Sequence, residues 1–93
     1  MTPREPRRLA VEGELTIITA AAEKDRLLTA LQTSSGLRVD LAAVEEIDTA
    51  GLQVLLLARR EADRLSIPFE LGPAPAGVAA VLAVAGLDTA EEE

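Results

Sequence analysis

Cysteine and histidine are both missing from this chain. Disulfides, thiolate nucleophiles and cysteine metal sites are therefore excluded. Nucleophilic catalysis would then need a serine or threonine beside a lysine, and Lys24 is the sole lysine. A glycine-rich run ending in Lys-Ser or Lys-Thr is absent as well, so no phosphate-binding loop is read here. The acidic residues Glu45, Glu46 and Asp48 do not make a receiver-type phospho-aspartate site, which needs an acidic pair after the first strand and a lysine near the end. No enzyme, cofactor or metal is expected. Tryptophan and tyrosine are missing too, and Phe69 is the one aromatic residue, so the interior must be packed from small aliphatic side chains. No apolar run approaches the roughly 18 residues of a spanning helix, and Met1 to Ala10 lacks the hydrophobic stretch of a signal peptide. The expectation is a soluble, cytoplasmic protein.

What remains is rich in alanine, leucine and valine. The 48% hydrophobic fraction fits a folded chain, and 93 residues are enough for one domain and too few for two. The expectation is therefore a single domain over residues 1–93, with 1–6 as a flexible lead-in and 89–93 as a frayed acidic tail. Sixteen acidic against nine basic residues leave a net charge of -7, which repels nucleic acid and anionic lipid. Arg4, Arg7 and Arg8 cluster near the start, but without aromatic platforms they make no nucleic-acid footprint.

Arg8 to Val11 and Glu14 to Ile18 read as two short strands around a Glu12-Gly13 turn, a β-hairpin with Leu15 and Ile17 inward. Thr19 is placed to cap a helix running to about Thr33, with Leu27, Leu28 and Leu31 as its apolar stripe. Leu37 to Leu41 alternates cleanly as an inner strand. Ala42 to Ile47 follows as a connector. Ile67 to Leu71 reads as a strand, with Pro68 where no ladder partner is needed. Pro75 suits the first turn of a last helix carrying Val78, Val81, Leu82 and Ala85, ended by Gly86. The order β-β-α-β-α-β-α predicts an α/β fold, one mixed four-stranded sheet with three helices packed against it.

The most informative stretch runs from Val39 to Leu55. Asp48 is an N-cap for a helix from Thr49 to Leu65, leaving the Thr49 hydroxyl near the positive end of the helix dipole, where a phosphate would also be favoured. At about 100° per residue, Gly51, Val54, Leu55, Ala58, Ala62 and Leu65 share the arc facing the sheet. Gly51 there permits close backbone approach. The opposite arc holds Thr49, Leu52, Gln53, Leu56, Arg59, Arg60 and Asp63. Two leucines among polar neighbours fit a modest protein-binding surface; they fit equally a helix buried on both sides, or leucines that flank the core.

Asp40, followed after a hydrophobic connector by Asp48-Thr49-Ala50-Gly51-Leu52, resembles the signature of the STAS family. Gly13-Glu14-Leu15-Thr16 and Gly72-Pro73-Ala74-Pro75 stand where that family has its early strand pair and its last strand-to-helix turn. The resemblance, to anti-sigma factor antagonists in particular, implies a non-enzymatic module that docks a partner. In those proteins the hydroxyl residue after Asp is phosphorylated by a serine kinase that doubles as the anti-sigma factor, which makes Thr49 the matching phosphoacceptor. The implied docking surface comprises Asp40, Asp48, Thr49, Ala50, Leu52, Gln53, Leu56 and Arg60. Sporulation and stress-response versions commonly carry serine where this chain has Thr49. Compact STAS proteins with a similar run also serve as accessory subunits of lipid-transport ATP-binding-cassette systems and occur in chemotaxis clusters. In those settings Thr49 would be an unmodified contact, for instance on a transporter ATPase subunit.

Overall fold

A computed structural model describes residues 4–90; Met1 to Pro3 and Glu91 to Glu93, hence half of the expected lead-in and most of the acidic tail, lie outside the described residues. Short alternating segments near the start give β1 (Pro6–Ala10) and β2 (Gly13–Leu15). These do not form the expected hairpin. β1 pairs in parallel with β3 (Gly36–Asp40), and β2 pairs in parallel with β4 (Val44–Ile47). The chain bends between them without reversing: the Val11 N–H donates to the Asp40 carbonyl at 3.0 Å and the Gly13 N–H to the Ala43 carbonyl at 2.9 Å. Gly13, with φ of 72°, supplies a kink where a reversal was expected.

The helix α1 (Ala20–Gln32) carries the chain back between the two arms, which is the crossover that parallel pairing requires. Val44–Ile47, read above as connector, is a fifth strand whose two central glutamates face outward and break the alternation. β5 (Phe69–Leu71) joins the far side of β3, again in parallel. The expected single mixed sheet is thus replaced by a three-stranded sheet, β1-β3-β5, and a two-stranded one, β2-β4, with every pairing among the described residues parallel. Among the described residues the helices number three, as expected: α1, α2 (Thr49–Leu65) and α3 (Ala76–Val84).

α1 packs on β1 and β3 and along α2, which in turn rests on β2 and β4; α3 lies against β4. Between these layers sits an aliphatic core that includes Val11, Leu15, Leu27, Leu31, Val39 and Leu55, all fully buried. In α1, Leu27 and Leu31 enter the core with Ala30, whereas Leu28 is half-buried. Thr19 occupies the N-cap position, but its hydroxyl does not cap the helix; it accepts from the Thr16 N–H and donates to the Glu14 carbonyl, both at 3.1 Å. Pro75 is the residue before α3, not part of its first turn, and of the expected stripe Val78 and Leu82 are buried while Val81 is exposed and Ala85 half-buried.

Both later helices end in the same way. After α3, Gly86 (φ 79°) lets its own N–H reach the Ala83 carbonyl and the Leu87 N–H reach the Leu82 carbonyl. After α2, Ser66 makes the same turn at φ 57°, its N–H on Asp63 and the Ile67 N–H on Ala62. These are paired left-handed stops that satisfy otherwise orphan carbonyls.

Candidate docking site

α2 begins where its sequence places it, because Asp48 leaves the chain extended (φ -124°) and accepts the Gly51 N–H at 3.0 Å on Oδ1. Its second carboxylate oxygen, Oδ2, accepts the Ile17 N–H at 2.9 Å from the loop after β2. The backbone of Asp48 adds two bonds: its N–H donates to Leu15 and its carbonyl accepts from Leu52. One residue therefore clasps the β2–α1 loop to the head of α2. The Ile17 amide first, and the Gly51 amide second, hold the Asp48 carboxyl below its ordinary value of 3.8. It stays ionised at neutral pH.

Gly51 makes this approach possible. A Cβ placed there would run into the Leu15 carbonyl group, so no larger residue fits between α2 and β2. Thr49, the first residue of α2, is exposed, as are Gln53 and Arg60; Ala50 is half-buried. Leu52 and Leu56 do not stand free on the outer arc: both are half-buried and pack against the core. Of the readings open for these leucines, flanking the core fits this partial burial. The inner arc holds at Gly51, Val54, Leu55, Ala58 and Ala62, while Leu65 is half-buried.

Asp40 is exposed at the end of β3, where its Oδ1 accepts the Ala42 N–H at 3.0 Å and shapes the bend into β4. Among the described residues it makes no hydrogen bond to α2. The site instead gains two residues that sequence reasoning placed wrongly or passed over. β2 stops at Leu15, and Ile17, expected inward, is 74% exposed, with Ile18 beside it at 81%. The loop that carries them is held by Thr16 and Thr19: the Thr16 hydroxyl donates to Glu14 Oε1 at 2.9 Å and accepts the Ile18 N–H at 3.3 Å. A signal was available, since adjacent isoleucines cannot both face inward on a strand of period two. Two carboxylates, Glu14 and Asp48, are hydrogen-bonded to this loop. Among the described residues no group of three or more carboxylates is placed to hold a metal ion.

A family model described as "Mlab, STAS domain" matches residues 2–91. The chain belongs to the STAS domain family. Solved STAS structures share its fold. The anti-sigma factor antagonist SpoIIAA in its unphosphorylated form superimposes with a TM-score of 0.75 at 17% identity, over 100% of this chain and 86% of that one. The phosphorylated form of SpoIIAA, the Bacillus cell fate determinant, gives 0.73 at 18% identity, over 99% and 88%. The STAS domain of a SulP transporter from Vibrio cholerae gives 0.69 at 24% identity, over 92% and 67%. No curated protein matches this STAS domain in sequence. Among the described residues no helix is long and apolar enough to cross a membrane.

Proposed function

We propose that this STAS domain is a non-enzymatic protein-docking module, with the head of α2 and the Ile17-Ile18 loop as its contact surface and Thr49 as a phosphoacceptor. The observation that carries the reading is an exposed hydroxyl at the first position of α2, beside a pair of exposed isoleucines that Asp48 ties to it. Exposed isoleucines supply apolar contact area, and the ionised Asp48 supplies the response. A phosphate on Thr49 adds about -1.5 to -2 charges next to a carboxylate already committed to two amides. Repulsion between them weakens a partner's fit. The partner this reading favours is a serine/threonine kinase that also acts as an anti-sigma factor.

The reading is tested by incubating the domain with such a kinase and ATP and measuring intact mass. One phosphate is expected on the wild type and none on Thr49→Ala. Equal modification of the two would overturn Thr49 as acceptor, and loss of kinase binding in Ile17→Asp with Ile18→Asp is the separate check on docking. A second reading is favoured by the likeness to a transporter STAS domain: a constitutive contact on a transporter subunit, with Thr49 unmodified. In that case Thr49→Glu leaves the complex intact.

A further inference from the structure

The opposite end of the molecule has an unusual surface of its own, independent of the α2 head. Parallel sheets are ordinarily covered on both faces. In β1-β3-β5 the face carrying Leu9, Leu37, Val39 and Leu71 is turned to the core, while its reverse presents Pro6, Arg8 and Ala10 from β1 and Glu70 from β5, all exposed. On that reverse face the strand register sets Pro6 opposite Gly36, and Arg8 opposite Arg38, which is itself opposite Glu70.

The first row is a trough. Gly36 lies between Pro6 and Pro68, contributing no side chain, and a recess of about 910 Å³ opens over this part of the sheet, lined by Pro6, Arg8, Gly36, Arg38, Pro68 and Glu70 among others. That volume is within the range of small-molecule sites, which are mostly apolar with a few convergent polar groups. The second row is charged. Two arginines directly opposite on neighbouring strands repel one another. Arg38 is answered by Glu70, Nη1 to Oε1 at 2.8 Å, whereas Arg8 has no ion-pair partner among the described residues. The recess therefore carries an apolar floor beside a cationic edge, in a chain whose net charge is -7.

We infer that this recess binds a small organic anion with an apolar tail, an alkyl carboxylate or alkyl phosphate, its head on Arg8, the arginine without an ion-pair partner among the described residues, and its tail along the Pro6–Gly36–Pro68 trough. The fork of a single guanidinium suits carboxylate and phosphate geometry. A small ligand fits better than a large polyanion, because the acidic remainder of the molecule repels an extended negative surface, and Glu70 and Asp40 on the same face confine negative charge to the Arg8 side.

The test is a ¹⁵N NMR titration of the full chain with octanoate, alongside acetate and 1-octanol. Octanoate is expected to saturate shifts at Arg8, Gly36 and Arg38, with acetate and octanol each at least about tenfold weaker, the scale of one charge-assisted contact. Gly36→Val fills the trough; a Cβ at position 36 meets only ordinary contacts with Pro68, at 3.5 to 3.6 Å, so the sheet is expected to persist, and Arg8→Ala is the second variant should it not. Each should weaken octanoate about tenfold or more. Equal binding of octanol, or octanoate binding indifferent to both variants, overturns the site. Binding of poly-L-glutamate without binding of octanoate also overturns it, in favour of an acidic protein segment.

Discussion

The two ends of this small domain are built on opposite plans. At the head of α2 the working groups are backbone amides, gathered by one carboxylate and one missing side chain: Asp48 holds Ile17 and Gly51, and Gly51 lets α2 sit on Leu15. At the reverse face of β1-β3-β5 the working groups are long side chains, Arg8, Arg38 and Glu70, and the missing side chain at Gly36 leaves space in place of contact. A glycine that closes a gap is indispensable to folding; a glycine that leaves a gap is free to change. Carboxylates of Glu14 and Asp48 mark the first end and the guanidiniums of Arg8 and Arg38 the second.

The comparison is most easily broken by exchanging alanine for its two glycines. Gly51→Ala forces α2 off β2 and is expected to cost about 3 kcal/mol or more, read as a lower urea midpoint at unchanged slope, whereas Gly36→Ala should leave the midpoint equal or slightly higher. A similar cost at both positions would erase the distinction. Asp48→Asn comes next. The folded carboxyl titrates below the ordinary 3.8, so its contribution is full above the unfolded value and is lost as pH falls through the folded one. The variant should therefore be less stable than wild type at pH 7, and the gap should close below pH 4. A gap constant down to pH 2 would mean that the charge of Asp48 does not matter.

Smaller effects sharpen the picture within one element. Ser34 is buried with its hydroxyl unpartnered among the described residues, and Ser34→Ala should raise stability by up to about 1 kcal/mol in thermal melts. Ser66 holds a left-handed stop that glycine holds after α3, so Ser66→Gly should gain about 0.5 kcal/mol, by the same measurement. Smallest of all, Glu70→Gln breaks a half-exposed ion pair and should move stability by no more than about 0.5 kcal/mol, while freeing Arg38 to strengthen octanoate binding.

Local chemistry made α2 readable in sequence down to its bounds: an aspartate that caps, an inner arc of small and branched residues, and a helix length that suits both. Its N-cap and its close glycine, Asp48 and Gly51, lie within one turn of each other. Strand pairing was not readable in the same way. Glu12-Gly13 announces a bend but not its direction, and the choice between hairpin and parallel arms is made by the return through α1, between Leu15 and Gly36. β4 escaped notice because Glu45 and Glu46 interrupt its alternation. Ile17 was misplaced because its N–H is taken by Asp48, a partner thirty-one positions away, which ends β2 early. The outer leucines of α2 were left open in sequence for a geometric reason: an arc drawn around a lone helix ignores α1, which packs along α2.

The bend at Val11 to Gly13, mirrored at Leu41 to Ala43, divides the sheet into two panels, each with its own ladder. Thr49 follows the narrow panel, whose strands are three and four residues long, while the arginine recess belongs to the broad one. Occupancy of one panel need not be transmitted to the other through a shared hydrogen-bond lattice. Two messages, one written as phosphate and one as a bound metabolite, would then be read separately by the same ninety-three residues.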